Sequence, residues 1–397
     1  MNPMLLADVT LEALLTPYVN NLPISAGTLS ALIHVALLAG FFGLPAGIFI
    51  WAERKVSARI QDRLGPTRTG GKFGWLQSLA DGVKLVQKED LVPKSADSLL
   101  FRVAPYIVVA ASLSAYLVLP FTENWSALGL DVGLFFLLAL MALEVLGVIF
   151  AGYSSGSKWA LYGSMRESAQ MVSYEIPMGM CALVPIVFAG SLDLNHVVRS
   201  QISTYADFQA TGCPPFLNWY CFNLIGLVAF LCYFTCATAS CKRAPFDLAE
   251  AESELVAGFL TEYSGMRWSF FFLAEYASMF LVSGVATALF LGGWDDGFGI
   301  LTGLKASGPA LGFVATLLGA VIFMSKASIL VCVQIWVRWT LPRIRIDQVM
   351  TACLKYMVPI ACAVFLAAAV YPLVAATAVG RPHLLPTSPI GERAQQH

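Results

Sequence analysis

Five carboxylates, Asp247, Glu250, Glu252, Glu254 and Glu262, fall within RAPFDLAEAESELVAGFLTEY, the stretch from Arg243 to Tyr263. Asp247, Glu250 and Glu254 recur at i, i+3 and i+7, a spacing that on a helix places them on one face. Like charges at that spacing raise one another's proton affinity, and partial burial raises it further, so such a stripe would hold protons near neutral pH. The alternative reading is a solvated acidic face. Three more acids, Glu144, Glu175 and Glu275, lie within or at the ends of apolar runs. An ionisable side chain there costs about 2.5 to 3.5 kcal/mol on insertion scales, which makes function its default explanation. Lys326 is the one basic residue inside such a run, placed either as a counter-ion to one of these acids or to snorkel toward an interface. The chemistry these residue types define is proton or charge transfer.

The elements that must position these groups are membrane helices. The chain has 397 residues, 58% hydrophobic and 12% charged, with a mean hydropathy of +0.72. No soluble domain buries that much apolar surface in one core. The composition therefore predicts an all-α integral membrane protein, because the alternation of a membrane β-barrel is absent. Eight runs are long enough to cross a hydrocarbon layer of about 30 Å: roughly 32–51, 103–121, 132–152, 170–190, 216–239, 269–294, 309–337 and 357–379. This gives an N-terminal segment 1–31, one eight-helix domain over 32–379 and a Pro-rich tail, 380–397, expected to be disordered. The N-terminus has no basic residues before its apolar ones and does not read as a cleaved signal or transit peptide.

Lysine and arginine accumulate on the cytoplasmic side of membrane proteins. Nineteen of them fall in the loops at about 52–102, 153–169, 240–268 and 338–356, against four on the opposite face and tails. Both termini are therefore expected on the non-cytoplasmic side. In the first of these loops Trp75, Leu76, Leu79, Val83 and Val86 follow helical spacing opposite Asp81, Lys84, Lys88 and Glu89, after a turn at Gly65 and Pro66. That pattern predicts an amphipathic helix at the membrane surface or tucked between spans; the alternative is a plain topogenic basic loop. In the third loop Pro245 breaks any helix, Asp247 with Glu250 makes a capping pattern, and a helix from Leu248 to about Phe259 is expected to follow.

Nine cysteines are scattered without a C-x-x-C pair, and only His34 of the four histidines lies in a span. Iron–sulfur ligation and paired haem ligation are therefore not expected, and there is no dinucleotide fingerprint, P-loop or room for a soluble nucleotide domain. If the protein serves redox chemistry, another chain carries the electrons.

The motifs ERKVSARIQDRLGPTRTG, SLADGVKLVQKED, MRESAQMVSYE, RAPFDLAEAESELVAGFLTEYSG, FFLAEY and RWTLPRIRIDQVM occur in order between Trp51 and Leu366. Together they resemble the H subunit of respiratory complex I, the proton-translocating NADH:quinone oxidoreductase. The resemblance implies eight spans at the junction of the membrane and peripheral arms, walling a quinone tunnel that opens to the bilayer. It implies no haem, flavin or iron–sulfur cluster on this chain. The substrate would be a quinone, with ubiquinone the first expectation, reduced by a terminal iron–sulfur cluster of neighbouring subunits. Matched by position, Arg54, Arg63, Asp81, Arg243, Phe246, Arg343 and Arg345 would line or brace the tunnel, work that suits a permanently charged, forked donor. Glu144, Glu175, Asp247, Glu250, Glu252, Glu254, Glu262 and Glu275 would form the acidic path toward the antiporter-like subunits, with Lys326 as their candidate counter-ion.

Two positions depart from the resembled pattern: Ser240 stands where many relatives carry a Glu, and Thr67 follows Gly65-Pro66 where they carry Asn. Glu167 occupies a place often filled by Ala, next to Arg166; it would either partly compensate for the acid missing at Ser240 or form a local ion pair with Arg166, the expected reading. The implied partners are the peripheral-arm quinone-site and iron–sulfur subunits, small membrane subunits, antiporter-like subunits and the lipid bilayer, with no nucleic acid. The implied location is a bacterial inner membrane. Two other readings are the membrane component of an energy-converting hydrogenase-type complex and a free-standing ion-coupled transporter.

Overall fold

The computed structural model describes residues 26–123, 129–202, 215–250, 252–306 and 309–379. Every regular element among them is helical. In chain order the α-helices are α1 (Ala26–Ile60), α2 (Gln77–Gln87), α3 (Ser98–Ala115), α4 (Gly133–Ser154), α5 (Lys158–Ala189), α6 (Leu194–Gln201), α7 (Leu224–Ser240), α8 (Glu252–Leu255), α9 (Gly265–Phe290), α10 (Ile300–Ala306), α11 (Pro309–Thr340), α12 (Ile346–Met350) and α13 (Val358–Val379). Six helices among the described residues are long and apolar enough to cross a membrane: α3, α4, α5, α9, α11 and the last, counted from Ile346. The apolar α7 is 17 residues long and α1 is 35. The expected tail, 380–397, and most of the expected N-terminal segment lie outside the described residues.

α9 is the axis of the packing. In its membrane-length window 83% of residues are buried, against half or fewer in the other five helices of that length. A helix apolar on every side is stable only when surrounded, and α9 is held by Tyr116, whose hydroxyl donates to the Ala277 carbonyl at 2.6 Å, and by Phe49, Tyr233 and Phe323 around it. The ends of these helices are closed locally. Asp97, Asn223 and Asp193 accept from free N–H groups at the starts of α3, α7 and α6, and Gly190 adopts the left-handed conformation that stops α5.

The expected helix over Leu248 to Phe259 does not form. Only α8, four residues long, and a 3-10 turn at Gly258–Leu260 are helical there. The reason is tertiary. Leu248, Ala249, Leu255, Phe259 and Leu260 are all buried, and a straight helix cannot bring Ala249 and Phe259 to the same place. The segment instead folds back on itself at Gly258, which takes φ +55°, and docks into a notch in α5 at Gly163. A Cβ at Gly258 would lie 1.6 Å from the Ala249 carbonyl oxygen, and one at Gly163 would lie 2.8 Å from both that oxygen and the Phe259 nitrogen. Phe259 and Tyr263 then close a second core with Phe101 of α3 and Phe271 of α9, the Phe101 and Tyr263 rings stacking at 4.1 Å.

The first loop does contain a helix, α2, which begins at Gln77, so Trp75 and Leu76 precede it. Its polar side faces the bundle through Asp81, while Leu79, Val83 and Val86 point outward and are exposed.

Candidate functional site

Where α1, α7 and α11 end and α9 begins, four elements deliver charges to one buried point. Glu53 comes from the last turns of α1, Arg243 from the loop after α7, Glu275 and Tyr276 from α9, and Arg338 from the end of α11. Arg243 Nη1 donates to both oxygens of Glu53, at 3.1 and 2.9 Å, and the Tyr276 hydroxyl donates to Glu53 Oε2 at 2.6 Å. Arg338 donates to Glu53 Oε1. The other side of the guanidinium forms an ion pair with Glu275, Nε to Oε1 at 2.7 Å, and its central carbon Cζ lies 4.1 Å from the centre of the Tyr276 ring. Arg243, Glu53 and Glu275 are 3%, 5% and 7% exposed, so their charges are weakly screened by solvent. Two guanidinium groups offset two carboxylates. Arginine suits the place because it cannot shed its proton and presents its donors as a fork.

Lys242 precedes Arg243 and takes the left-handed conformation, φ +54°. The two neighbouring cations therefore separate. Lys242 is buried and turns toward Glu144 of α4, Nζ to Oε1 at 3.6 Å. Burial disfavours its charge, but Glu144 and then Glu167 outweigh that and hold the ammonium above the ordinary lysine range. Gln170 of α5, wholly buried, locks this turn by donating to the carbonyls of Ala239 and Phe246, both at 3.0 Å.

The acidic stripe is split by the folded segment. Asp247 pairs with Arg343 at 2.9 Å. Glu250 is half-buried beside the cluster, and burial, then the charges of Glu275 and Asp247, hold its carboxyl well above the usual carboxylate range. Glu254 faces the other way and pairs with Arg166 at 2.6 Å, and that hydrogen bond and charge hold its carboxyl below the usual range. Glu262 is half-buried, and the side chain of Glu252 lies outside the described part of the structure. The expected local pair of Arg166 with Glu167 is not formed. Adjacent residues on a helix point about 100° apart, so Arg166 reaches outward to Glu254 and Glu167 turns into the bundle.

Among the other expected tunnel residues, Arg54 pairs with Asp81, which also accepts from Gln77 Nε2 at 3.1 Å. Phe246 packs against the main core. Arg63 and Arg345 are exposed; Arg63 donates to Gln61 at 2.7 Å and Arg345 caps α12. Glu175 is half-buried and enters no ion pair among the described residues. Lys326 does not meet Glu144, Glu175 or Glu275. Its ammonium donates to the carbonyls of Leu291, Gly293 and Asp295 at 2.8, 3.2 and 2.6 Å and lies 3.9 Å from the Trp219 ring centre. These groups cap the far end of α9, so the side chain has snorkelled to that end rather than inward.

Sequence reasoning missed Glu53, Tyr276, Arg338, Lys242 and Gln170. Glu53 carried one signal, as the only acid in WAERKVSAR among three basic residues.

Fold and site thus define a multi-pass membrane protein with ionisable residues buried among its helices. A family model described as NADH dehydrogenase matches residues 33–369. The H subunit of NADH-quinone oxidoreductase from Anaeromyxobacter dehalogenans is 42% identical over 347 residues, 86% of this chain and 81% of the relative. Those from Chlorobaculum tepidum and a Geobacillus strain are 43% and 41% identical, covering 90% and 93% of the relatives' length. The chain belongs to this family.

Proposed function

We propose that the chain acts as the H subunit of a proton-pumping NADH:quinone oxidoreductase, walling the quinone-access tunnel and coupling quinone reduction to proton translocation through its buried carboxylates. In this reading α1 and α7 join the six long apolar helices as membrane spans, making eight. The basic loops face the cytoplasm, both termini lie on the other side, and the membrane is a bacterial inner membrane. Electrons reach the quinone, ubiquinone first among candidates, from an iron–sulfur subunit of the peripheral arm. Small membrane subunits and antiporter-like subunits adjoin the chain laterally. The exposed apolar row of α2 would meet lipid or quinone tail. The relatives' names favour this over a hydrogenase-type complex or a free-standing transporter.

The observation that carries the reading is the continuity of charge from the loops into the bundle. Arg343–Asp247, the Glu53–Arg243–Glu275 network and Lys242–Glu144 are three ion-paired groups between loop and bundle, and Glu250 feels the charges of Glu275, Asp247, Arg243 and Lys242. A negative charge arriving at the loop end, as when a quinone takes up electrons, would be felt along this series because buried charges are weakly screened.

In the intact complex, Arg243→Lys and Glu53→Gln are the test. The expected result is loss of quinone-dependent NADH oxidation and of coupled pumping, in a complex that still assembles and still passes electrons from NADH to an artificial acceptor. Wild-type quinone reduction and pumping in both variants would overturn it.

A further inference from the structure

Glu167 is the buried acid that the network above leaves out. It lies in α5 at 0% exposure, and neither carboxylate oxygen has a hydrogen-bond donor among the described residues. Every other fully described acid at the centre of this region has a charged partner within an ion-pair distance or stands half-exposed. The charged groups that act on Glu167 are Lys242 and Asp247 from the turn and loop after α7, Glu144 from α4 and Glu275 from α9. On its own helix, Tyr174 lies two turns on. The only cation in that set is Lys242, the partner of Glu144. Its ion pair with Glu144 is long, 3.6 Å, and Glu144, Glu167, Glu275 and Glu250 all favour its charge.

We propose that Glu167 is a proton-binding site that exchanges the Lys242 ammonium with Glu144. With Lys242 turned toward Glu144, that carboxylate is ionised and Glu167 holds a proton, the form of a carboxyl that needs fewest donors when buried. When Glu144 takes up a proton it releases Lys242, which moves to Glu167, and Glu167 gives its proton up. One proton enters at Glu144, one leaves at Glu167, and Lys242 keeps its charge, so the buried set conserves net charge in both states. The inference deepens the reading of this region as a charge relay and rests on it for its purpose, but not for its chemistry.

The test is the infrared carbonyl band of buried protonated carboxyl groups, read at neutral pH with deuterium exchange on the purified whole complex. Glu167→Gln should remove one such band from the wild-type spectrum. Glu144→Gln, which leaves Glu167 in place and sends Lys242 to it, should remove the same band, and adding Lys242→Met to Glu144→Gln should restore it. A band unchanged in Glu167→Gln overturns the site; if that variant does not assemble, a band unchanged in Glu144→Gln overturns the exchange. These readouts do not depend on pumping. A lost band with undiminished coupling in the Arg243 and Glu53 variants would count against the relay reading and leave Glu167 as a proton site.

Discussion

Glu53 and Arg243, 190 residues apart in the chain, meet through two hydrogen bonds at 2.9 and 3.1 Å in a buried site. Neither charge is stable there alone. The contact therefore ties the end of α1 to the loop after α7, and through Tyr276 and Arg338 to α9 and α11.

Removing one partner strands the others. Glu53→Ala should destabilise the chain by about 3–5 kcal/mol, because it leaves Arg243 and Arg338 facing each other without a shared carboxylate. The double variant with Arg243→Met should recover part of that loss. Denaturant or thermal unfolding in lipid nanodiscs reads both, and a purely additive double variant would contradict the pairing.

The acidic loop should respond to pH with two signs. The Glu254 carboxyl is held low by Arg166, so its contribution is present above the ordinary carboxylate value of about 4.3 and is lost as pH falls through its depressed value. Glu250 is held high, so its contribution is present at acid pH and is lost as pH rises through its raised value. Hydrogen exchange of residues 246–262 across pH should show local opening at both extremes. Arg166→Gln should abolish the acid limb alone and Glu250→Gln the alkaline limb alone.

At the other end of α9, Asp295 accepts from the Trp219 indole at 3.0 Å, and burial pushes its carboxyl up to about 6. A raised carboxyl stabilises the fold below its ordinary value of about 3.9 and loses that contribution as pH climbs through about 6. Asp295→Asn should flatten the stability profile over that window, measured by Trp fluorescence during unfolding.

Lys326→Met should cost about 1–3 kcal/mol for each carbonyl it leaves unsatisfied, a loss seen as faster exchange and unfolding around residues 291–295. Quinone reduction should be affected less than by any change at Arg243, because Lys326 serves the opposite end of the helix. Equal losses of activity in the two variants would contradict that separation.

Gly258→Ala should unseat the acidic loop. The added methyl would enter the Ala249 carbonyl at a backbone angle that side chains avoid. We expect a loss of about 2 kcal/mol or more, with proteolysis of the 244–262 segment rising before global unfolding. Unchanged protease resistance would show that the fold-back is not needed.

The amino-acid sequence by itself determined that the chain is helical and membrane-bound, which acids and bases are available, and roughly where the apolar helices run. Those are consequences of composition and of the length of apolar runs, which are local quantities. Asp81 opposite the exposed side of α2 and the snorkelling of Lys326 were also legible as options. Only the tertiary structure decided which charges meet. Glu53 finds Arg243 because four helix ends converge, Arg166 takes Glu254 rather than its neighbour, and the acidic segment gives up its helix because burying Ala249 and Phe259 in one notch outweighs local propensity. Such pairings depend on sequence-distant packing and on the cost of burying a charge unmatched, and no local pattern carries either.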